Sequence, residues 1–434
     1  MRTTTKVPPR ESSSTTSHNG HPDREMADVA RLMLGDASSK ASDYANYFVS
    51  YAYLYHQKQM LTDGARMRAY RDAILGNRRL FEGKTVLDVG AGSGILSIWA
   101  AKAGAKKVIA AEFTSMAAHA KTLVRHNGYA DVIEVRQCAV EALDLRPGSV
   151  DVIISEWMGY FLLRESMLDS VLYARDHFLD PKDGSIFPDA ATLYWAPAAL
   201  TEDRDEKVRE KEDAMADFDA FVDELSSEHG VDASCLRAPY DAEQSDYYLK
   251  PAQWVQCAED QILGPPSVVA KFDLYSVSID DVRGVTAAPF TVRLPPSSSS
   301  EAQQDGSSSP SEEPPPPPSA DKFMSAFVGW FDVDFKRGAN GRVALERPIV
   351  LSTAPEHGYT HWGQQAFFLP ERHAWPWKTT HAGSAKKPDE DGAASVLRGE
   401  LTLTRQASAP RLYHVRARLE DAAHRTCVFD WDLS

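Results

Sequence analysis

Glu156 and Glu165 stand in one short segment, Ser155-Glu156-Trp157-Met158-Gly159-Tyr160-Phe161-Leu162-Leu163-Arg164-Glu165, which follows the apolar run Val150 to Ile154. A guanidinium is planar, stays charged near neutral pH and offers fixed donors, so two carboxylates in one pocket can hold it by charge-assisted, bidentate hydrogen bonds. They would also gather its positive charge on one side and leave electron density on the nitrogen that points away from them. Gly159 permits a turn that brings both acids to one pocket. Acids so spaced also occur as salt-bridged surface pairs. A place at the ligand edge of a sheet favours the functional reading.

A second constellation lies upstream. Val86-Leu87-Asp88-Val89-Gly90-Ala91-Gly92-Ser93-Gly94 ends a strand and opens a helix, where a doubly wound sheet binds a nucleotide-like ligand. Its glycines let the backbone approach a ligand closely. The spacing is GxGxG, and Ile95 occupies the place of the last glycine in GxGxxG, so the dinucleotide fingerprint is not met. Glu112 ends the next apolar run, where a carboxylate can accept hydrogen bonds from a ribose diol. Asp88 and Glu112 around this turn fit S-adenosylmethionine better than NAD.

The elements that must carry these residues are legible as an alternation. Thr85 to Val89, Ile95 to Ala103, Lys107 to Ala111, Met116 to His126, Val132 to Arg136 and Val150 to Ile154 read as strand, helix, strand, which implies a parallel α/β sheet with right-handed crossovers. After Tyr194 the pattern changes to β-like runs without helices: Ala270 to Ile279, Phe290 to Leu294, Phe327 to Phe335, Ile349 to Ser352, Gln365 to Leu369, Glu400 to Thr404 and Arg411 to Leu419. Such runs predict an antiparallel β-domain. Residues 201–250 interrupt it with 6 basic and 16 acidic residues, and Met215, Phe218, Val222 and Leu225 fall on one helical face. An acidic amphipathic helical hairpin is expected there. Residues 1–40, rich in Ser, Thr and Pro, and residues 295–321, with Pro314 to Pro318 consecutive, read as a disordered tail and an inserted disordered loop. The domains expected are 41–190 for the α/β unit and 191–434 for the β-domain.

The 434 residues are 43% hydrophobic and 25% charged, with a net charge of −15, an ordinary globular composition. No apolar run reaches membrane-spanning length and the polar start lacks the apolar core of a secretory signal, so an intracellular protein is expected. Cys138, Cys235, Cys257 and Cys427 show no CxxC spacing, which indicates reduced thiols and neither a disulfide framework nor a zinc site. The acidic balance disfavours direct nucleic-acid binding and suits Lys- or Arg-rich protein partners.

Taken together, Tyr47-Phe48-Val49-Ser50-Tyr51, the VLDVGxGxG turn, the SEWMGY…E loop and Thr360-His361-Trp362 resemble the protein arginine methyltransferase family over about residues 44–434, apart from the inserted loop. The stretch Tyr55 to Leu61 and the lengthened acidic arm look most like its plant-type members. The resemblance implies a Rossmann-like methyltransferase domain followed by an antiparallel β-barrel, S-adenosylmethionine as methyl donor with S-adenosylhomocysteine as product, and no metal.

By the same resemblance, Glu156 and Glu165 hold the substrate guanidinium, and His361 pairs with Asp63 in a supporting role. Tyr47, Phe48 and Tyr51 lie on a helix closing over the cofactor. Arg66 meets its methionine carboxylate, Asp88, Gly90 and Gly92 surround the methionine moiety, Glu112 takes the ribose and Glu141 the adenine. Gln57 stands where many animal members have His, so that position can donate a hydrogen bond but cannot titrate. Met60 and Met158 match methionines of members that make asymmetric dimethylarginine, and Trp362 belongs to the substrate pocket. The 201–250 segment matches a dimerisation arm, and histone tails or Gly-Arg-rich proteins are the implied substrates, met in cytoplasm and nucleus. Two rivals stay open: a small-molecule methyltransferase, and a non-catalytic dimeric scaffold for Arg-rich proteins.

Overall fold

The computed structural model describes residues 47–49, 51–294, 324–370, 395–420 and 424–433. The expected tail at 1–40 and the whole of the 295–321 loop lie outside them. After a helical turn at 47–49, α1 (Leu54–Thr62) and α2 (Gly64–Gly76) lead into the alternation β1 (Thr85–Val89), α3 (Ile95–Lys102), β2 (Lys107–Glu112), α4 (Met116–His126), β3 (Ile133–Gln137), β4 (Val152–Ser155), α5 (Leu168–Phe178) and β5 (Ser185–Phe187). The five strands form one parallel sheet in the order β3-β2-β1-β4-β5. β1 sits at its centre, where the order of strands reverses, so its C-terminal end opens onto the crevice in which such sheets bind ligands. Its Val86 and Leu87 are fully buried, as a strand covered on both faces requires.

Asp189 marks the exit from this sheet. Its fully buried carboxylate accepts the Lys336 and Arg337 backbone N–H groups and Nε of Arg337 at 2.6, 3.1 and 2.7 Å. The chain then builds two antiparallel sheets. One has the order β7-β12-β10-β6-β8, from β6 (Ala190–Ala198), β7 (Gln253–Val255), β8 (Ser267–Asp273), β10 (Ala326–Gly338) and β12 (Gln364–Phe368), with β11 (Val343–Ser352) on β10. The other has the order β15-β14-β13-β9, from β9 (Gly284–Leu294), β13 (Ser395–Arg405), β14 (Tyr413–Glu420) and β15 (Thr426–Leu433). Trp195 stacks on Phe327 at 4.9 Å, and Trp431 of the second sheet meets Phe367 of the first at 5.6 Å, so large aromatic faces close the barrel.

Two expectations shift, and the helical arm forms as expected. β8 stops at Asp273 because that carboxylate accepts the Tyr275 N–H at 3.1 Å and its carbonyl takes the Ser276 N–H, turning the chain. β7 and β15 have no counterpart among the expected runs, although Phe429-Asp430-Trp431-Asp432-Leu433 of β15 alternates apolar and polar residues as a half-buried strand does, paired with β14 along its whole length. The arm forms α6 (Thr201–His229) and α7 (Arg237–Tyr248), with Phe218 stacked on Tyr240 at 4.2 Å. Met215 is the buried member of its apolar stripe.

Candidate active site

The turn after β1 is shaped by contact as much as by conformation. Gly90 and Gly92 have φ of +70° and +53°, and a Cβ at either would strike Met167 (2.1 Å) or the Gln57 amide (2.9 Å). At the end of β2, Glu112 accepts the Gly92 N–H on one oxygen and the Thr114 N–H and hydroxyl on the other, at 2.8, 2.8 and 2.6 Å. A carboxylate has about four acceptor positions, so roughly one strong donor more can be taken. The oxygen that takes only the Gly92 N–H is the one open to a ribose hydroxyl. Glu141 accepts the Ser170 hydroxyl at 2.6 Å, and Phe48 packs on Phe113 at 4.5 Å. These residues line a cavity of about 220 Å³ running along the C-terminal ends of β1, β2 and β4.

Asp88 departs from its expected place. It is fully buried beneath the turn, accepts the Ser97 hydroxyl of α3 at 2.6 Å and does not line the cavity. Burial pushes its carboxyl up to about 7, the Ser97 hydrogen bond opposing the shift. Its task is to hold the turn on α3 from below.

Arg66 projects from α2, whose start is capped by Asp63, the carboxylate accepting the Arg66 N–H at 3.0 Å. The other Asp63 oxygen accepts both the backbone N–H and Nδ1 of His361 at 2.8 Å, tying α2 to the barrel. Burial pushes the Asp63 carboxyl up, but the hydrogen bonds from the His361 ring and the two N–H groups bring it net below the ordinary range. The Arg66 guanidinium donates from Nε and Nη2 to Glu156 at 3.1 and 2.7 Å and from Nη1 to the Met60 carbonyl at 3.0 Å. Nη1 also donates to the Met67 sulfur at 3.8 Å, so four of its five donors are engaged and one, on Nη2, remains for a ligand carboxylate.

Glu156 leaves the end of β4, and Glu165 returns on a contorted loop. Phe161, Leu162, Glu165 and Ser166 all have positive φ, a conformation that costs non-glycine residues about 1–3 kcal/mol each and needs support from outside. Gly159 serves by close approach: a Cβ there would lie 1.8 Å from the Arg164 carbonyl. Trp362, 2% exposed, donates its indole N–H to the Met158 carbonyl at 2.8 Å, so this residue braces the loop from the barrel. Tyr51 donates to Glu165 at 2.9 Å. Burial raises the Glu165 carboxyl above its ordinary range, against the pull of Arg164, the Tyr51 hydrogen bond and Arg411.

A second, wider cavity of about 600 Å³ opens on the barrel side, lined by His56, Tyr160, Trp254, Tyr359, His361 and Trp362 among others. The two cavities share Tyr47, Tyr51, Met60, Glu156, Met158, Glu165 and Arg411. Both glutamates therefore stand at a junction between one compartment suited to a nucleoside and another open to a polypeptide. Among the described residues no His, Cys, Asp and Glu cluster could hold a metal ion, and no helix is long and apolar enough to cross a membrane.

Two family models match the chain: the arginine methyltransferase oligomerization subdomain over residues 190–386, and ribosomal protein L11 methyltransferase (PrmA) over residues 75–165. Protein arginine N-methyltransferase PRMT10 of Oryza sativa subsp. japonica is 44% identical over 355 residues, 79% of this chain and 86% of that protein. The chain belongs to the protein arginine N-methyltransferase family. The PRMT10 of Arabidopsis thaliana is 43% identical over 333 residues, 76% of this chain and 79% of that protein. Among solved structures, the uniquely open conformation of Arabidopsis thaliana protein arginine methyltransferase 10 superposes with a TM-score of 0.73 at 37% identity, covering 89% of this chain and 99% of that one. A Trypanosoma brucei PRMT1 enzyme-prozyme heterotetrameric complex with AdoHcy gives 0.64 at 27%, covering 89% and 100%.

This methyltransferase is thus of the plant type, uses S-adenosylmethionine as donor and acts on arginine side chains of proteins. Gly90, Gly92, Glu112, Glu141, Phe48, Tyr51, Gln57, Met60 and Arg66 all line the donor cavity; Tyr47, Met158, Glu156 and Glu165 line both cavities, and His361 and Trp362 the second. Phe113, Thr114, Met167, Ser170 and Arg411 also line the donor cavity. Phe113 and Thr114 could have been found by their place directly after Glu112. Nothing in the sequence marks Met167, Ser170 or Arg411.

Proposed function

We propose that this chain makes monomethylarginine and asymmetric dimethylarginine on Arg-rich protein segments such as histone tails or Gly-Arg-rich proteins, with Glu156 and Glu165 as its catalytic residues. The observation that carries the reading is the meeting of the two cavities at those two glutamates. Bound S-adenosylmethionine supplies a methyl group already activated by the sulfonium. The chain supplies position and charge. Arg66 occupies one oxygen of Glu156 and Tyr51 one of Glu165, which orients the remaining acceptor positions for a substrate guanidinium. Glu165, whose burial raises its affinity for a proton, accepts the proton released as the nitrogen is methylated. His361, held by Asp63, supports the pocket from the barrel.

Met60 and Met158 line the junction, and their unbranched side chains would shape it so that the second methyl goes to the nitrogen already methylated. Assembly as a homodimer through residues 201–250 is part of the proposal. Phe221, Val231, Leu236 and Tyr247 of that arm are 48%, 51%, 52% and 71% exposed, apolar surface that a second copy would cover. Action in both cytoplasm and nucleus completes the reading, and imaging of the tagged full chain tests it.

The deciding experiment incubates the full chain with S-adenosylmethionine and an Arg-rich histone-tail peptide, then hydrolyses the peptide and identifies the methylated arginine by chromatography. Asymmetric dimethylarginine supports the assignment of Met60 and Met158. Only monomethyl or symmetric product overturns the subtype, and sedimentation as a monomer overturns the dimer.

A further inference from the structure

Arg411 touches both halves of the candidate active site and has no part in the reading above. It lies in the loop joining β13 to β14, at the lip of both cavities. Its carbonyl accepts the Glu165 N–H at 2.8 Å, and its Nη1 donates to the Glu165 carbonyl, so the backbone of that residue, at φ +81°, is gripped from two sides. The neighbouring Pro410 carbonyl accepts the Ser166 hydroxyl at 2.7 Å. The base of the hairpin is fixed in turn by Arg405, which makes two hydrogen bonds to Asp169 at 2.6 and 2.9 Å, just after the glutamate loop.

The face of the same guanidinium lies over aromatic rings from the opposite end of the chain. Its central carbon is 3.8 Å from the centroid of Tyr47 and 4.9 Å from that of Phe48. Phe48 rests on Phe113 of the donor cavity, and Tyr51 donates to the Glu165 carboxylate. A planar cation can stack on an aromatic face while its edge donates hydrogen bonds, a combination that an ammonium lacks.

We infer that Arg411 is a positioning residue that couples the seating of the Tyr47–Phe48 turn over the donor cavity to the placement of Glu165. Docking of the aromatic turn completes the cradle of the guanidinium, and the cradled guanidinium fixes the loop at its most contorted point. The inference rests on the assignment of Glu165 as a catalytic carboxylate. The charge of Arg411 also favours the anionic form of Glu165.

The test compares Arg411→Gln, Arg411→Lys, Phe48→Ala and the Arg411→Gln/Phe48→Ala double variant in the full chain. Circular dichroism establishes folding, and Lys, keeping length and charge, guards against a variant that fails to fold. Arg411→Gln is expected to lower kcat about 100-fold with KM for an arginine peptide changed less than about threefold, the scale of a misplaced catalytic group. Its acid limb in kcat against pH moves to higher pH. Arg411→Lys restores the limb and only part of kcat. The loss of S-adenosylmethionine affinity caused by Phe48→Ala is smaller in the Arg411→Gln background than in the wild type. Wild-type kcat and acid limb in both Arg411 variants, or losses that multiply independently with Phe48→Ala, overturn the coupling. Glu165→Gln separates the two ideas. If it retains full turnover, the assignment of Glu165 fails; if it is inactive while the Arg411 variants are not, only the coupling fails.

Discussion

Nη2 of Arg66 lies 2.7 Å from Oε2 of Glu156, so a guanidinium of the protein already holds one of the two carboxylates proposed to hold a guanidinium of the substrate. The pair stands where the donor cavity meets the acceptor cavity, and both side chains are nearly buried. A charge-assisted pair in such surroundings sets geometry, because either partner left alone would be an uncompensated buried charge. Arg66, which lines the donor cavity, thereby fixes the orientation of Glu156.

Replacement of Arg66 tests that link. Arg66→Lys keeps the charge but loses the planar fork, and about a tenfold or larger loss of S-adenosylmethionine affinity is expected together with a comparable fall in kcat. Calorimetric titration and steady-state kinetics measure the two. A variant that loses affinity alone, with kcat intact, would show that Glu156 does not depend on Arg66.

Glu165→Gln should remove most turnover, by roughly 100-fold or more, while S-adenosylmethionine affinity stays near wild type. The amide keeps the shape and loses the charge and the proton acceptor. Turnover near wild type would sink the two-carboxylate argument.

The same residue sets a pH dependence. Burial raises the Glu165 carboxyl, so it stays protonated to a higher pH than an ordinary glutamate, and kcat should fall on the acid side at a pH above the usual carboxylate range. The Tyr51 hydrogen bond favours the anion. Tyr51→Phe should accordingly move the acid limb higher still, and a downward shift would contradict the assignment.

Asp88 gives a signature in stability. Its carboxyl is raised to about 7 in the folded chain, so between its unfolded value and 7 the folded state binds the proton more tightly. The stability it contributes is fully present below the unfolded value and is lost as pH rises through 7. Asp88→Asn should flatten that part of the curve of Tm against pH in the cofactor-free protein. Parallel curves for the two proteins would refute it.

Trp362→Phe keeps the ring and deletes the donor to the Met158 carbonyl. Leaving that buried carbonyl unpaired should cost about 1–3 kcal/mol of stability, seen in chemical unfolding, and should lower kcat more than cofactor affinity. An unchanged kcat would mean that the loop needs no brace from the barrel.

What the sequence by itself determined was whatever rests on local pattern. β1, β2 and α4 fall where alternation and apolar spacing put them, and the glycine turn with Glu112 announces a nucleoside site, because strand ends and close-approach glycines are properties of neighbouring residues. The two glutamates and the Gly159 turn between them were visible, but the backbone conformation of their loop was not. Four non-glycine residues at positive φ contradict local preference, and they are held there by supports from outside the loop, among them Trp362, Arg411 and Pro410 of the β13–β14 connection, and the Trp195 and Phe367 rings against Phe161. Asp88 was misplaced for a related reason: a strand residue just before the turn can point to either face, and packing of α3 with Ser97 turned it inward, away from the cavity. Arg411 was invisible because its partners, Tyr47, Phe48 and Glu165, come together only once the barrel has folded back onto the parallel sheet. Contacts across such distances in the chain leave no period or spacing to read, and tertiary packing alone decides them.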